Sequence, residues 1–118
     1  MPEVRVLFVT TPPDLAADLV RTLVTERLIA CGNIVPGVRS IYAWNGEVCD
    51  EQESVVLLET SVSRVEVAIA RLRQLHPYEC PKIVVLQPAA VTDDYAAWVV
   101  RSTSALGAEI DPQVEDHE

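Results

Sequence analysis

An imidazole, a phenol and a carboxylate stand almost side by side in the segment His76-Pro77-Tyr78-Glu79. Pro77 removes a backbone N–H donor and restricts the residue before it, so a helix that reaches this segment must end there. Past a helix end, a three-residue offset lets His76 and Glu79 converge. A lone His76 would more often be a helix-end residue whose charge suits the negative terminus, and a lone Glu79 a surface carboxylate. The segment leaves both a structural and a cation-binding role open.

Cys31 is a third candidate ligand, where the first helix should give way to the second strand. Free cysteines are among the most buried residue types, so Cys31 could be a small buried hydrophobe or a soft thiolate ligand. Thiolate, imidazole and carboxylate together suit copper or zinc better than magnesium or calcium. Neither a C-x-x-C pair nor an H-E-x-x-H helix is present, so only the fold could bring Cys31 to His76 and Glu79.

Several further side chains could line a cleft around such a site. They are Asn33, Tyr42, Trp44, Glu59, Thr60, Tyr78 and Trp98. Tyr42 and Trp44 could equally be cross-strand partners that pack at a subunit interface, and Thr60 could simply finish a strand. Cys80, beside Glu79, could supplement a thiolate ligand or pack as a small hydrophobe.

A Cys–His pair also raises nucleophilic catalysis, in which an imidazole activates a thiol. The sequence around Cys31 contains neither an oxyanion-hole turn nor a thiol-enzyme signature. The four glycines form no P-loop and no dinucleotide fingerprint. We therefore expect a binding or sensing protein and not an enzyme.

Composition narrows the class of protein. A chain of 118 residues with 49% hydrophobic residues predicts one domain, here residues 1–107, followed by an acidic, disordered tail over residues 108–118. The net charge of −9 and the single lysine, Lys82, argue against a nucleic-acid partner. No apolar run approaches a membrane span and no secretory signal is apparent, so we expect a cytoplasmic protein whose three cysteines are free thiols.

The periodicity predicts the elements that must position these residues. A first strand near residues 4–10 precedes a helix capped by Thr11 that runs to about Leu28. A long hairpin follows, interrupted at Pro36-Gly37 and turning at Asn45-Gly46, which is the strongest short hairpin signal. A second helix opens with a capping box from Ser63 and ends at His76. A strand over residues 82–86 and a helix from Thr92 complete the order.

The order βαββαβ with a terminal helix predicts an α+β, ferredoxin-like sheet with both main helices on one face. The strands at residues 55–58 and 83–86 are apolar at successive positions, so both faces of the sheet should be apolar. The third helix can cover only part of the second face. A partner subunit is the simplest cover for the rest.

Three segments are specific in order and spacing: residues 30–37 (ACGNIVPG), residues 41–46 (IYAWNG) and residues 76–79 (HPYE). With them, the chain from about Val6 to Arg101 resembles the divalent-cation tolerance (CutA) family. The resemblance implies a PII-like homotrimer whose long hairpins join neighbouring sheets. It also implies that Cys31, His76 and Glu79 match cleft positions implicated in copper binding in relatives.

The expectation is therefore a trimeric protein that binds divalent cations, copper above all, weakly or transiently, in the response to and tolerance of metal ions. The alternative is a PII-like signalling or scaffold trimer that binds a small ligand or a protein partner. The chain departs from the family where Glu59 stands in place of a usual lysine, and Gly32 stands where a larger residue is expected. If Glu59 faces the cleft of His76 and Glu79, its charge favours a bound cation over an anion.

Overall fold

A computed structural model describes residues 3–104, and within them the predicted order of elements is confirmed. The strands are β1 (Val4–Thr11), β2 (Cys31–Trp44), β3 (Glu47–Ser61) and β4 (Ile83–Leu86). The helices are α1 (Ala16–Thr25), α2 (Val65–Leu75), which follows a 3₁₀ turn at Val62–Arg64, and α3 (Asp93–Thr103). The predicted domain boundary at residue 107 and the acidic tail lie outside the described residues.

The four strands form one antiparallel sheet in the order β2-β3-β1-β4, which confirms the predicted ferredoxin-like α+β fold. One face of the sheet is covered by α1 and α2. Leu7, Val9, Val56 and Leu58 of the central strands are fully buried there. The helices add the buried side chains Leu19, Leu23, Ala68 and Leu72. Over residues 3–104, each helix is too short or too polar to cross a bilayer.

The hairpin of β2 and β3 extends well beyond the rest of the sheet. β1 stops pairing at Thr11 opposite Ser54, whereas β2 and β3 stay paired as far as Trp44 opposite Glu47. Asn45 and Gly46 have φ angles of 52° and 80°, as a type I′ turn requires, so the predicted turn is confirmed. The predicted interruption at Pro36-Gly37 is a break in register between Val35 and Val38.

Two predicted helix caps are wrong. Thr11 ends β1 and its hydroxyl donates to the Pro12 carbonyl, while α1 begins only at Ala16. Ser63 lies in the 3₁₀ turn beside Ser61, so the capping box does not form and α2 begins at Val65. The first helix also ends earlier than predicted, at Thr25, because the chain reverses through Arg27 at a φ of 60°.

The second face of the sheet is only partly covered, as the sequence predicts. α3 packs its buried Val99 against Val4 near one end. Elsewhere large apolar side chains of this face remain open to solvent in the single chain: Leu86 of β4 is 43% exposed and Trp44 of the hairpin is 45% exposed. Their coverage by other subunits stays a prediction.

Candidate functional site

A cavity of about 520 Å³ opens where the long hairpin, the end of β1 and the loop between α2 and β4 meet. Because side chains alternate along a strand, Ser40, Tyr42 and Trp44 project from one face of β2 toward it. We call it the hairpin cavity. Its lining residues are Thr10, Ser40, Ile41, Tyr42, Trp44, Glu53, Tyr78, Glu79, Cys80 and Lys82.

His76 stands behind the cavity wall, directly after α2 as predicted, and is 94% buried. Its Nδ1 accepts a hydrogen bond from the Tyr78 backbone N–H at 3.2 Å. An N–H group can only donate, so Nε2 carries the ring proton and donates to the Thr10 carbonyl at 2.8 Å. Nε2 therefore ties the α2–β4 loop to β1, while Nδ1 fixes the path of the loop itself at Tyr78.

Tyr78 is the side chain that His76 positions. The two ring centroids are 4.6 Å apart, and the Tyr78 hydroxyl donates to Oε2 of Glu53 at 2.7 Å. Glu53 is 96% buried, just beyond the last residue pair between β3 and β1. Burial, and then the hydrogen bond to Glu53, raise the pKa of Tyr78 well above its usual range. The phenol therefore remains a donor at neutral pH.

Cys31 and Glu59 form a separate cluster under α3. They are directly opposite each other on β2 and β3, and the Tyr95 hydroxyl donates to Glu59. Trp98 packs beside Tyr95, with ring centroids 5.6 Å apart. Burial first, and then the charge of Glu59, raise the pKa of the Cys31 thiol, while the contact with Tyr95 lowers it. We call these four residues the thiol cluster.

The two sites are far apart within one chain. Glu53 of the hairpin cavity and Glu59 of the thiol cluster are six residues apart on β3, which corresponds to about 20 Å along a strand. Glu59 therefore lies away from the hairpin cavity of its own chain, and its place in a cleft with His76 and Glu79 stays a prediction. Two other candidates also lie away from the cavity: Asn33 is exposed on β2, and Thr60 is buried with its hydroxyl donating to the Leu28 carbonyl at 2.7 Å.

The hairpin cavity brings together Tyr42, Trp44, Tyr78 and Glu79, and it adds Glu53 and Lys82, which were not among the residues predicted from the sequence. In the sequence, Glu53 ends an acidic stretch that begins at Asp50, and Lys82 is the first residue of a predicted strand. The structure shows that Glu53 is buried and that it accepts a hydrogen bond from Tyr78, which lies 25 positions later in the sequence. Among residues 3–104, no three His, Cys, Asp or Glu side chains are close enough to hold a metal ion by themselves.

The phenols give a direct test of these contacts. All three tyrosines of the chain have raised pKa values: hydrogen bonding to Glu51 is the main cause for Tyr42, whose pKa rises to about 12, and burial is the main cause for Tyr78 and Tyr95. A raised phenol pKa stabilises the fold below the unfolded value of about 10, and this stabilisation is lost as the pH rises through the native value.

We therefore expect near-ultraviolet titration of the native protein to show almost no phenolate up to about pH 10. The protein unfolded in guanidinium is the control, and its three tyrosines should ionise near their usual value. A native tyrosine that ionises there as well would mean that its carboxylate contact does not exist in solution.

Comparison with known proteins shows that the similarity covers nearly all of the described residues. The profile of the CutA1 divalent ion tolerance protein family matches residues 5–102. A divalent-cation tolerance protein CutA of Thermus thermophilus is 40% identical over 100 residues, which cover 84% of this chain and 97% of that protein.

Solved structures give the same result. CutA from Xylella fastidiosa superposes with a TM-score of 0.84 at 35% identity, covering 86% of this chain and 99% of the other. The PII-like protein CutA from Nostoc sp. PCC 7120, in its apo form, gives a TM-score of 0.81 at 35% identity, with coverages of 85% and 97%. The similarity thus spans both the hairpin cavity and the thiol cluster.

Proposed function

The chain belongs to the CutA divalent-ion tolerance family, and from this premise we propose that it is a trimeric protein that binds divalent cations, copper above all, in the response to and tolerance of metal ions. The relatives are named for tolerance of cations and not for a reaction, which supports a binding role over an enzymatic one. Cytoplasmic residence is part of the same proposal.

The observation that carries the proposal is the acidic character of the hairpin cavity. Glu53 and Glu79 both line it, Cys80 adds a thiol, and the whole chain has a net charge of −9. Such a surface attracts cations and repels anions. Carboxylate, thiolate and imidazole donors together favour copper or zinc over magnesium or calcium.

The proposed ligands are Cys31, His76 and Glu79, and they cannot meet within one chain. A bound metal holds nitrogen and sulfur ligands at about 2.0–2.3 Å, whereas Cys31 lies about 20 Å along the strands from the level of Glu53. We therefore assign Cys31 to a neighbouring subunit of the trimer. The exposed apolar side chains of β4 and of the hairpin support such an assembly, since monomers rarely expose large apolar patches.

The proposed site should bind weakly. His76 uses both ring nitrogens for backbone hydrogen bonds, so coordination through Nδ1 would require loss of the bond from the Tyr78 N–H. The Cys31 thiol, whose pKa is raised, must also lose its proton to become a ligand. Both effects oppose metal binding and agree with weak or transient occupancy.

Anaerobic calorimetric titration with Cu²⁺ tests the proposal. Cys31→Ser and Glu79→Gln should each weaken copper binding by about 10- to 100-fold or more. Loss of an outer-shell partner already costs that much, and these two residues are proposed as direct ligands. Matched controls are Cys49→Ser, which removes another thiol, and Glu66→Gln, which removes a carboxylate of the first turn of α2. Equal losses in the test and control variants would show that copper is attracted only by the overall negative charge.

The second candidate function is a PII-like signalling or scaffold trimer. The size and aromatic walls of the hairpin cavity favour it, because sites for small molecules are concave, largely apolar and about 300–1,000 Å³ in volume. Two results together would favour this signalling or scaffold function over metal tolerance. Cys31→Ser and Glu79→Gln would bind copper as the wild-type protein does, and a small organic molecule would bind in the hairpin cavity.

A further inference from the structure

Glu53 is a buried carboxylate with an incomplete set of partners. It is 96% buried, and its Oε2 accepts one hydrogen bond from Tyr78, while no described residue donates to Oε1. The ion pairs among residues 3–104 involve Asp18, Asp50 and Glu26, and none involves Glu53. A buried carboxylate is expensive unless it is paired with a cation or fully hydrogen-bonded. Glu53 therefore provides an acceptor for a positively charged donor.

The walls around Glu53 are aromatic. Tyr42, Trp44 and Tyr78 line the hairpin cavity together with Ile41. Phenol and indole rings are poor ligands for a bare metal ion, but their faces attract organic cations and their edges pack against apolar groups. Within residues 3–104 of one chain, the three donors of a metal site are not gathered here, so a metal would also need a ligand from a second subunit. The lining thus suits a cation attached to an apolar body.

The charged side chains of the cavity also favour a cation as ligand. Two carboxylates, Glu53 and Glu79, line the cavity together with one ammonium group, that of Lys82. The Nζ atom of Lys82 lies 4.5 Å from the centroid of the Phe8 ring. Tyr42 and Tyr78 add no charge at neutral pH, because both phenols remain protonated. The cavity therefore carries a net negative charge in a protein that is itself negative.

We infer that the hairpin cavity binds a small primary ammonium compound, with its ammonium group donating to Glu53 and its apolar body packed against Tyr42, Trp44 and Tyr78. A primary ammonium group supplies three donors, so it can reach Oε1 of Glu53 while Tyr78 keeps Oε2. Such a ligand is distinct from the divalent cation proposed above, and its binding does not require Cys31.

Phenethylamine is a suitable probe, and 3-phenylpropanoate is its counterpart of opposite charge with the same ring and chain. The chain has two tryptophans, and only Trp44 lines the cavity, whereas Trp98 packs on Tyr95. In ¹⁵N–¹H spectra recorded with a metal chelator, phenethylamine should shift the indole signal of Trp44 in a saturable way. The propanoate should leave that signal in place.

Variants test the role assigned to Glu53. Glu53→Gln keeps an acceptor for Tyr78 but removes the charge, and it should weaken phenethylamine binding by about tenfold or more, whereas Glu66→Gln should not. Lys82→Met removes the opposing charge and should tighten binding by about two- to fivefold at low salt. This second variant decides the matter if Glu53→Gln fails to fold.

Cys31→Ser should bind phenethylamine as the wild-type protein does, although it is expected to bind copper more weakly. The same variant therefore tests the ammonium site and the copper site separately. The inference is overturned if the amine and the propanoate shift Trp44 equally or not at all. It is also overturned if a folded Glu53→Gln protein binds the amine as wild type does, or if Lys82→Met does not tighten binding.

Discussion

His76→Phe is expected to lower the free energy of unfolding by about 2–5 kcal/mol, even with every metal removed by a chelator. The substitution keeps a ring in the buried position but leaves the Thr10 carbonyl and the Tyr78 N–H without their partner. Each buried backbone group left unpaired costs about 1–3 kcal/mol. The loop that carries Tyr78 would then be released from β1.

Denaturant unfolding at one fixed protein concentration measures this loss, since oligomers change stability with concentration. His76→Gln is the matched variant, because its amide supplies both a donor and an acceptor, and it should lose less stability. If His76→Phe were as stable as wild type under chelation, the imidazole would have no structural role, and its place at the site would be explained by metal binding alone.

Gly32→Ala is the second substitution with a large expected effect, about 1–3 kcal/mol of destabilisation. A Cβ atom at Gly32 would lie 2.6 Å from Cγ1 of Val20 and 3.1 Å from Cδ2 of Leu58, inside the core between α1 and the sheet. Both neighbours are buried branched side chains with little room to move. The family resemblance predicts a larger residue at position 32. In this chain, the side chain of Val20 fills the space that such a residue would need.

A double mutant distinguishes this clash from a general intolerance of β2. Val20→Ala removes the atom that collides, so Gly32→Ala combined with Val20→Ala should be more stable than the sum of the two single effects predicts. Chemical denaturation of the four proteins completes the cycle. Additive losses would show that Val20 is not the obstacle.

Local signals in the sequence were sufficient to predict the order of the strands and helices. Asn45-Gly46 specified the turn because both positions need positive φ angles, and Pro77 specified the end of α2. The caps at Thr11 and Ser63 could not be placed in the same way. Strand pairing of Thr11 with Ser54 and the 3₁₀ turn before α2 are tertiary effects that override local capping preferences.

The site was harder to predict, since it depends on register. The sequence predicts one cleft for Cys31, Glu59, His76 and Glu79. The pairing of Cys31 with Glu59, however, fixes both residues at the far end of β3 from Glu53 and the hairpin cavity. Burial of Glu53 depends on a loop that arrives from beyond α2 to place Tyr78 on it. Such a contact has no counterpart in the local pattern of residues.

The most direct measurement is the anomalous difference map of a crystal of the native oligomer soaked with copper. We expect a threefold assembly with equivalent copper peaks, each between Cys31 of one subunit and His76 and Glu79 of its neighbour. A monomeric protein, or copper bound only at scattered surface carboxylates with these residues unoccupied, would contradict the proposed trimeric metal site.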